Sequence, residues 1–366
     1  MERIFHAYKM RYHLLNHELT PLRASTKIKT VNIYINLDNF FHCMHSSTTN
    51  EEFQLYGEYS GRQLVANIIN LIGHYKHWAI KEHLIPKIFI YYTSSNTFKN
   101  SLIIGGYRNN ALVENSLTNT KYFYINRTIK DAIPIIPVIT KYLPNIYSID
   151  SGYIEPSIIP YYLSNKYKAD LHLLVSRDDY DLQYSYMTNW VLLRPNGDNS
   201  KIITKGTLWK YIQNKEKIQY SFYFNPGSYL WAKAVLGDKY RCIPKLTRIS
   251  WKSLLQYLKK FDTTTSEIFE VQQNYFINFI NEKKIEDTEF NNNLYCSSVK
   301  MQVEALLTAD QIIIDQQLED LIDLPGLYTV CNNIFKETPI NMQFILTETP
   351  FENDTPHDKY FWERRN

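Results

Sequence analysis

Four aspartates stand at the ends of apolar runs, where they could share a metal ion. Val31-Asn32-Ile33-Tyr34-Ile35-Asn36-Leu37-Asp38 alternates as a β-strand and closes on a carboxylate. Leu171-His172-Leu173-Leu174-Val175-Ser176 has continuous apolar character, and Asp178, Asp179 and Asp181 follow it. In an open parallel sheet such residues meet at the carboxyl ends of the strands. A cup of oxygen ligands suits Mg²⁺, and two cations about 4 Å apart in such a cup hydrolyse phosphodiesters. A second pattern is cationic. From Lys233 to Lys252 the chain carries Lys233, Lys239, Arg241, Lys245, Arg248 and Lys252 against a single acid, Asp238. Such a cluster makes sequence-independent, salt-sensitive contacts to nucleic-acid phosphates.

The elements that must position these residues follow from periodicity. Leu64 to His77 repeats as a helix, and Lys87 to Tyr92 reads as a second buried strand. Residues 94–130 are polar, contain Gly105-Gly106, and read as an excursion. Pro134 and Pro137 confine a helix to the later part of Ile133–Tyr142, and Pro156 opens another, roughly Ser157 to Lys166. Short strands follow at Trp190–Leu193 and Ser200–Thr204, then a helix from Gly227 to Leu236. Ser250 caps a helix starting at Trp251. Thr264-x-x-Glu267 and Thr308-x-x-Gln311 resemble capping boxes, the second opening a helix that ends near Leu324-Pro325-Gly326. Strand–helix alternation up to residue 205, then mostly helices, predicts an α/β domain with a helical C-terminal region.

Composition sets the outer bounds. A chain of 366 residues with 44% hydrophobic content can bury a large core. No run of eighteen apolar residues occurs, so no membrane span is expected, and the N-terminus lacks the layout of a signal peptide. Cys43, Cys242, Cys296 and Cys331 sit far apart without a CxxC pair, which argues against a disulfide framework or zinc ribbon and suits a cytoplasmic setting. His74, His77 and His83, or His42 with His45, lack the Cys or carboxylate company of a metal site. Net charge is +3 with a pI near 8.4. Thirty tyrosines, with many Asn, Ile and Lys, suggest AT-rich codons and a bacteriophage or other viral source, hence the host cytoplasm.

Four segments together resemble one family. Gly237-Asp238-Lys239-Tyr240-Arg241-Cys242-Ile243-Pro244 looks like the Gly-Asp-x-x-Asp-Asn-Ile-Pro signature of the flap endonuclease and 5′→3′ exonuclease family, PIN-like 5′ nucleases. Asn36-Leu37-Asp38-Asn39-Phe40 is similar to that family's opening strand and aspartate. Gly152-Tyr153-Ile154-Glu155-Pro156-Ser157 looks like its Gly-Tyr-x-Glu-Ala-Asp segment, and Leu174–Asp181 its strand ending in Ser-x-x-Asp-x-Asp. They occur in the family's order over about residues 30–260.

The resemblance implies a central, mostly parallel sheet flanked by helices, a helical arch insertion at about 94–130, and a helix–three-turn–helix within 206–262. Beyond these it leaves 263–347 as a C-terminal helical region and 348–366 as a flexible tail. It implies that Asp38, Glu155, Asp179, Asp181 and Asp238 are catalytic carboxylates holding Mg²⁺ or Mn²⁺. Asp179 is preferred to Asp178 because its spacing to Asp181 matches. Three departures stand against this. The aspartate after the second strand should fall near Tyr92 or Thr93, and neither is acidic; the aspartate of the Glu-Ala-Asp segment is Ser157; the second aspartate of the signature is Arg241. A cation at that last place could empty a metal site, since a unit charge at about 4 Å is worth roughly 4 kcal/mol at an effective dielectric of 20. Arg241 could instead bind a phosphate directly.

For DNA, the family's glycine loop after the signature corresponds to Lys245-Leu246-Thr247-Arg248-Ile249-Ser250, which has no glycine, so backbone approach is harder. Lys239, Arg241, Lys245, Arg248 and Lys252 could supply side-chain contacts instead. In the arch position Arg108, Lys121 and Arg127 interleave with Tyr107, Tyr122 and Tyr124, a pattern suited to a single strand. Two functions are then open: a metal-dependent 5′ nuclease, or a divergent member that keeps the grip on branched or single-stranded DNA with hydrolysis weakened or lost, acting alone or as a subunit of a viral replication or transcription assembly. The blander alternatives are a capping role for Asp38, a solvated Asp178–Asp181 loop, and an ordinary solvated helical face for Lys233–Lys252.

Overall fold

The computed structural model describes residues 29–41, 61–95, 98–105, 107, 127–196, 199–217, 229–239, 241–246, 248, 250–258 and 269–318, with positions 326 and 329. The expected capping box at Thr264, the tail from 348, Arg108 and Lys121 lie outside these.

A six-stranded sheet forms the centre, with order β3-β2-β1-β4-β5-β6. In chain order the elements are β1 (Thr30–Asn36), helix α1 (Gly61–Lys81), β2 (Ile85–Tyr92), α2 (Ile135–Thr140), β3 (Ile146–Asp150), α3 (Ile159–Lys166), β4 (Leu171–Val175), β5 (Trp190–Arg194) and β6 (Lys201–Ile203). Then come α4 (Leu208–Lys215), α5 (Tyr229–Leu236), α6 (Trp251–Leu258), α7 (Phe269–Glu282), α8 (Asp287–Ser297), α9 (Val299–Glu304) and α10 (Thr308–Asp315). β1 through β5 pair in parallel and β6 closes the edge antiparallel to β5.

The period of two decides which layer each strand residue joins. Val31, Ile33 and Ile35 of β1, Ile88 and Ile90 of β2, and Leu171, Leu173 and Val175 of β4 face α1 and α2. That layer receives Leu64, Ile68, Leu71, Ile72 and Tyr75 of α1, all fully buried. Each such side chain contributes about 1.5–3 kcal/mol on burial. The alternate residues Tyr34, Phe89, Tyr147, Leu174 and Trp190 face the second layer with α3 to α10. Their rings stack across the strands: Tyr147 on Phe89 at 5.2 Å, Phe89 on Tyr34 at 5.3 Å, and Tyr34 on Trp190 at 5.3 Å between centroids. Burial on both faces is what a parallel sheet requires. β3 departs from the sequence reading, which had no strand there. Ile146-Tyr147-Ser148-Ile149-Asp150 after Pro144-Asn145 is too short an apolar run to signal one, yet it pairs with β2 over its whole length.

From β1 the chain moves outward through β2 to β3, then returns to start the other half at β4. The reversal lies between β1 and β4, and the crevice at their carboxyl ends is where such sheets place their sites. Among the described residues no helix is long and apolar enough to cross a membrane.

Candidate functional site

Each acidic candidate is delivered by a strand end or the turn after it. Asp38 lies just beyond β1, where its Oδ1 accepts the Thr93 amide at 2.9 Å from the end of adjacent β2. Thr93, where the resemblance asks for an acid, thus spends its backbone on Asp38. Glu155 sits at the mouth of a 3₁₀ turn, Pro156–Ile158, with extended backbone, and its Oε1 accepts the Ser157 amide. Its Oε2 accepts the Tyr107 hydroxyl at 2.8 Å.

After β4 the chain enters a 3₁₀ helix, Tyr180–Tyr186. With three residues per turn, positions three apart eclipse. Asp178 and Asp181 therefore face the same way, and Asp179 turns outward to Arg194 at 3.1 Å and to Lys215. Asp179 was expected in the cluster on its spacing; the 3₁₀ pitch puts Asp178 there instead. Asp181 is wholly buried and accepts from Asn36 Nδ2 at 3.3 Å. Burial, then the neighbouring Asp178, pushes its carboxyl up to about 7.

The Gly237 signature forms a tight hairpin. Asp238 and Ile243 exchange both backbone hydrogen bonds at 3.0 Å. Gly237 has φ +71°, and a Cβ there would stand 2.6 Å from the Ile243 carbonyl oxygen, so glycine is required. The hairpin swings Arg241 inward until it is fully buried.

Its guanidinium donates to Asp178 Oδ2 at 2.6 Å and Oδ1 at 3.1 Å, to Glu155 Oε1 at 3.3 Å and to Ser157 Oγ at 3.1 Å. Asp238 Oδ2 lies 3.8 Å away, and the Tyr180 ring lies under the guanidinium carbon at 3.9 Å. Burial opposes this charge, but Asp178 and Glu155 outweigh it and hold the Arg241 pKa well above its ordinary value. Burial likewise pushes Asp238 up, yet Lys233, at 3.4 Å, and Arg241 leave it below the usual aspartate value. Two of the three positions where the resemblance asks for an acid, 157 and 241, now bond each other.

Of the five carboxylates expected together, Glu155 and Asp238 converge on Arg241 with Asp178. Asp181 lies behind Asp178, Asp38 is anchored on Thr93, and Asp179 faces away. Among the described residues no group of three His, Cys, Asp or Glu is set to hold a metal ion. The Mg²⁺ or Mn²⁺ implied by the resemblance does not fit this cup as built. The space between the carboxylates holds a fixed cation, and the Glu155 and Arg241 side chains are wholly buried. Buried carboxylates that share a guanidinium have few lone pairs left for a second cation.

The described cations expected to meet DNA divide in two. Lys239, Lys245, Arg248 and Lys252 are exposed, as is Arg127 at the start of a helical stretch, 127–132. Arg241 is not among them, because its charge is spent inside. Lys245 and Arg248 lie in the connection between α5 and α6, which Leu246 pins by donating its amide to Val235. Ser250 Oγ accepts the Ser253 amide at 3.2 Å, as its capping position implies. At α10, by contrast, the helix starts one residue earlier than expected, and Asp310 caps the Leu307 amide at 3.0 Å.

The sequence reading found no task for the last helices, yet they buttress the cup. Gln302 of α9 donates to the Tyr180 hydroxyl at 2.7 Å and accepts from Asn100 at 2.8 Å. Asp310 takes Lys99 at 2.8 Å and the Tyr153 hydroxyl at 2.7 Å.

No family model matches the sequence, and no curated protein does. Among solved structures, the D15 protein of T5, co-crystallised with metal ions, aligns over 83% of this chain and 98% of its own, at 9% identity and a TM-score of 0.50. The fold is that of a PIN-like 5′ nuclease. Two further likenesses are weaker. A bacteriophage T5 flap endonuclease in a pseudo-enzyme–product complex with DNA and metal ions covers 83% of this chain and 98% of its own at 11% identity, with a TM-score of 0.49. The catalytic core of Rad2 with DNA substrate covers 87% and 93% at 9% identity, with a TM-score of 0.38. On this 5′-nuclease fold the mostly parallel sheet, its flanking helices and the switch-point crevice are those the sequence leads one to expect.

Proposed function

We propose that this protein grips branched or single-stranded DNA on a 5′-nuclease fold whose metal-dependent hydrolysis has been weakened or lost. The observation that carries this reading is the Arg241 guanidinium, buried among Asp178, Glu155 and Asp238 where hydrolysis would need divalent cations. Among the described residues Glu155, Arg241, Tyr107 and Tyr180 are all buried, which withdraws the guanidinium itself from a scissile phosphate. The grip rests on Lys239, Lys245, Arg248 and Lys252, exposed beside the signature hairpin, and on exposed Arg127; the sequence adds Arg108 and Lys121. The codon-biased composition points to replication of a viral genome, with replication or transcription proteins as partners.

The test uses an end-labelled 5′-flap duplex and a single strand, with Mg²⁺ or Mn²⁺, in parallel cleavage and gel-shift assays. Salt-sensitive binding without cleavage is expected. Cleavage that depends on Mg²⁺ and disappears in both Asp178→Asn and Asp181→Asn would overturn the loss of hydrolysis, and absence of any DNA shift would overturn the grip.

A further inference from the structure

A cavity of about 600 Å³ opens at the other end of the sheet, below the amino ends of β4 and β5. The strands between it and the carboxylate cup are five residues long, so the two lie roughly 15 Å apart. Its wall combines three kinds of group. Tyr161, Tyr186 and Trp231 supply aromatic surface, each only partly buried. Asn165 and Asn189 supply amides that both donate and accept. Lys168 and Lys300 supply charge, and no Asp or Glu lines the cavity.

Burial, helped by Lys168, holds the cavity's His172 at a pKa of about 4, so this ring is neutral and the positive charge comes from the lysines. Both lysines are exposed. Lys300 touches Glu304 at 3.8 Å one turn along α9, an exposed and weak pair easily exchanged for a ligand anion.

We propose that this cavity binds a single phosphorylated nucleotide, its base against the aromatic wall and its phosphate on Lys168 and Lys300. The volume lies within the range of about 300–1,000 Å³ usual for small-molecule sites. Rings, amides and a cation pair match the flat face, polar edge and anion of a nucleotide in turn. An acidic peptide would leave the aromatic wall unused, and a neutral apolar ligand would leave both lysines unused. The nucleotide can be free or can be the end of a strand. Neither source depends on the carboxylate cup or on the Lys245–Lys252 face.

The experiment is calorimetric titration of the intact protein with adenosine 5′-monophosphate, adenosine, inorganic phosphate and a 5′-phosphorylated tetranucleotide. Saturable binding of the monophosphate, at least about tenfold tighter than adenosine or phosphate alone, is expected. Lys168→Ala and Lys300→Ala should each weaken it about fivefold or more, and Trp231→Leu should weaken it too. The lysine variants alter exposed side chains and leave the core intact, so lost binding there is not lost folding. Equal binding of the tetranucleotide would assign the site to strand ends, and binding of the monophosphate alone would assign it to free nucleotides; both support the site. No saturation by about 5 mM of either phosphorylated ligand, or affinities unmoved by both lysine variants, would overturn it. So would monophosphate binding abolished by Lys245→Ala and untouched by Lys168→Ala.

Discussion

Arg241 and Asp178 form a two-pronged ion pair, 2.6 and 3.1 Å, across a sequence separation of 63 residues. Fork geometry of this kind is among the stronger charge-assisted contacts available to a side chain. It ties the signature hairpin to the turn after β4, and through Glu155 to the loop after β3.

Removing the guanidinium should therefore be costly. Arg241→Met keeps much of the volume but leaves Asp178, Glu155 and Asp238 buried against one another. A loss of about 3–5 kcal/mol is expected in urea denaturation at pH 7. Adding Asp178→Asn to that variant should recover part of the loss, because one uncompensated charge goes with it. A single-variant loss below about 1 kcal/mol would show that Arg241 is not the counter-charge of the cup.

Divalent cations should leave the folded state indifferent. A ligand that binds only the native state raises the melting temperature in proportion to its occupancy. Thermal melts in EDTA and in excess Mg²⁺ should coincide; a rise of more than about 3 °C with Mg²⁺ would mean that carboxylates remain free to take it.

Asp181 predicts an unusual pH profile. Its carboxyl titrates near 7 in the fold against 3.8 as an ordinary aspartate. Between those values the folded state holds more protons than the unfolded one, so stability falls as pH rises through the window and levels off above it. The full effect is at most about 4 kcal/mol. Asp181→Asn can still accept from Asn36 and carries no charge. It should match the parent near pH 4 and exceed it at pH 8, by melts across that range. Equal stability at pH 8 would place Asp181 in a better-solvated setting than its burial indicates.

Salt dependence isolates the grip. Lys245→Ala, Arg248→Ala and Lys252→Ala should each weaken binding uniformly across sequences and lower the log–log salt slope by about one. An unchanged slope in all three would move the DNA contact elsewhere.

Gly237 is a backbone requirement. Gly237→Ala puts a methyl 2.6 Å from the Ile243 oxygen at a positive φ. A destabilisation of about 1–3 kcal/mol is expected from urea midpoints, whereas parental stability would mean that the hairpin relaxes without strain.

Much of this architecture can be read from pattern. β1 and β4 announce themselves through apolar runs that end in carboxylates, and α1 through the spacing of Leu64, Ile68 and Leu71. β3 could not be seen, because five residues buried on both faces show neither alternation nor length. Glu155 and Asp238 could be placed beside residue 241 by motif order. That Arg241 turns inward could not be placed so, since its direction is set by the Gly237 φ and the Asp238–Ile243 bridge. Asp178 and Asp179 are equivalent as letters; only the 3₁₀ pitch after Asp179 separates the inward carboxylate from the outward one. The support from Gln302 and Asp310 spans more than a hundred residues and leaves no local trace.

A bound metal ion has a dissociation constant; a tethered guanidinium has none. Because Arg241 is part of the chain, the positive charge in the cup is present at every ionic composition, cannot be chelated, and never exchanges with a competing ion. The cationic charge of the cup is thereby set at synthesis, and the metal content of the surrounding solution has no hold on it.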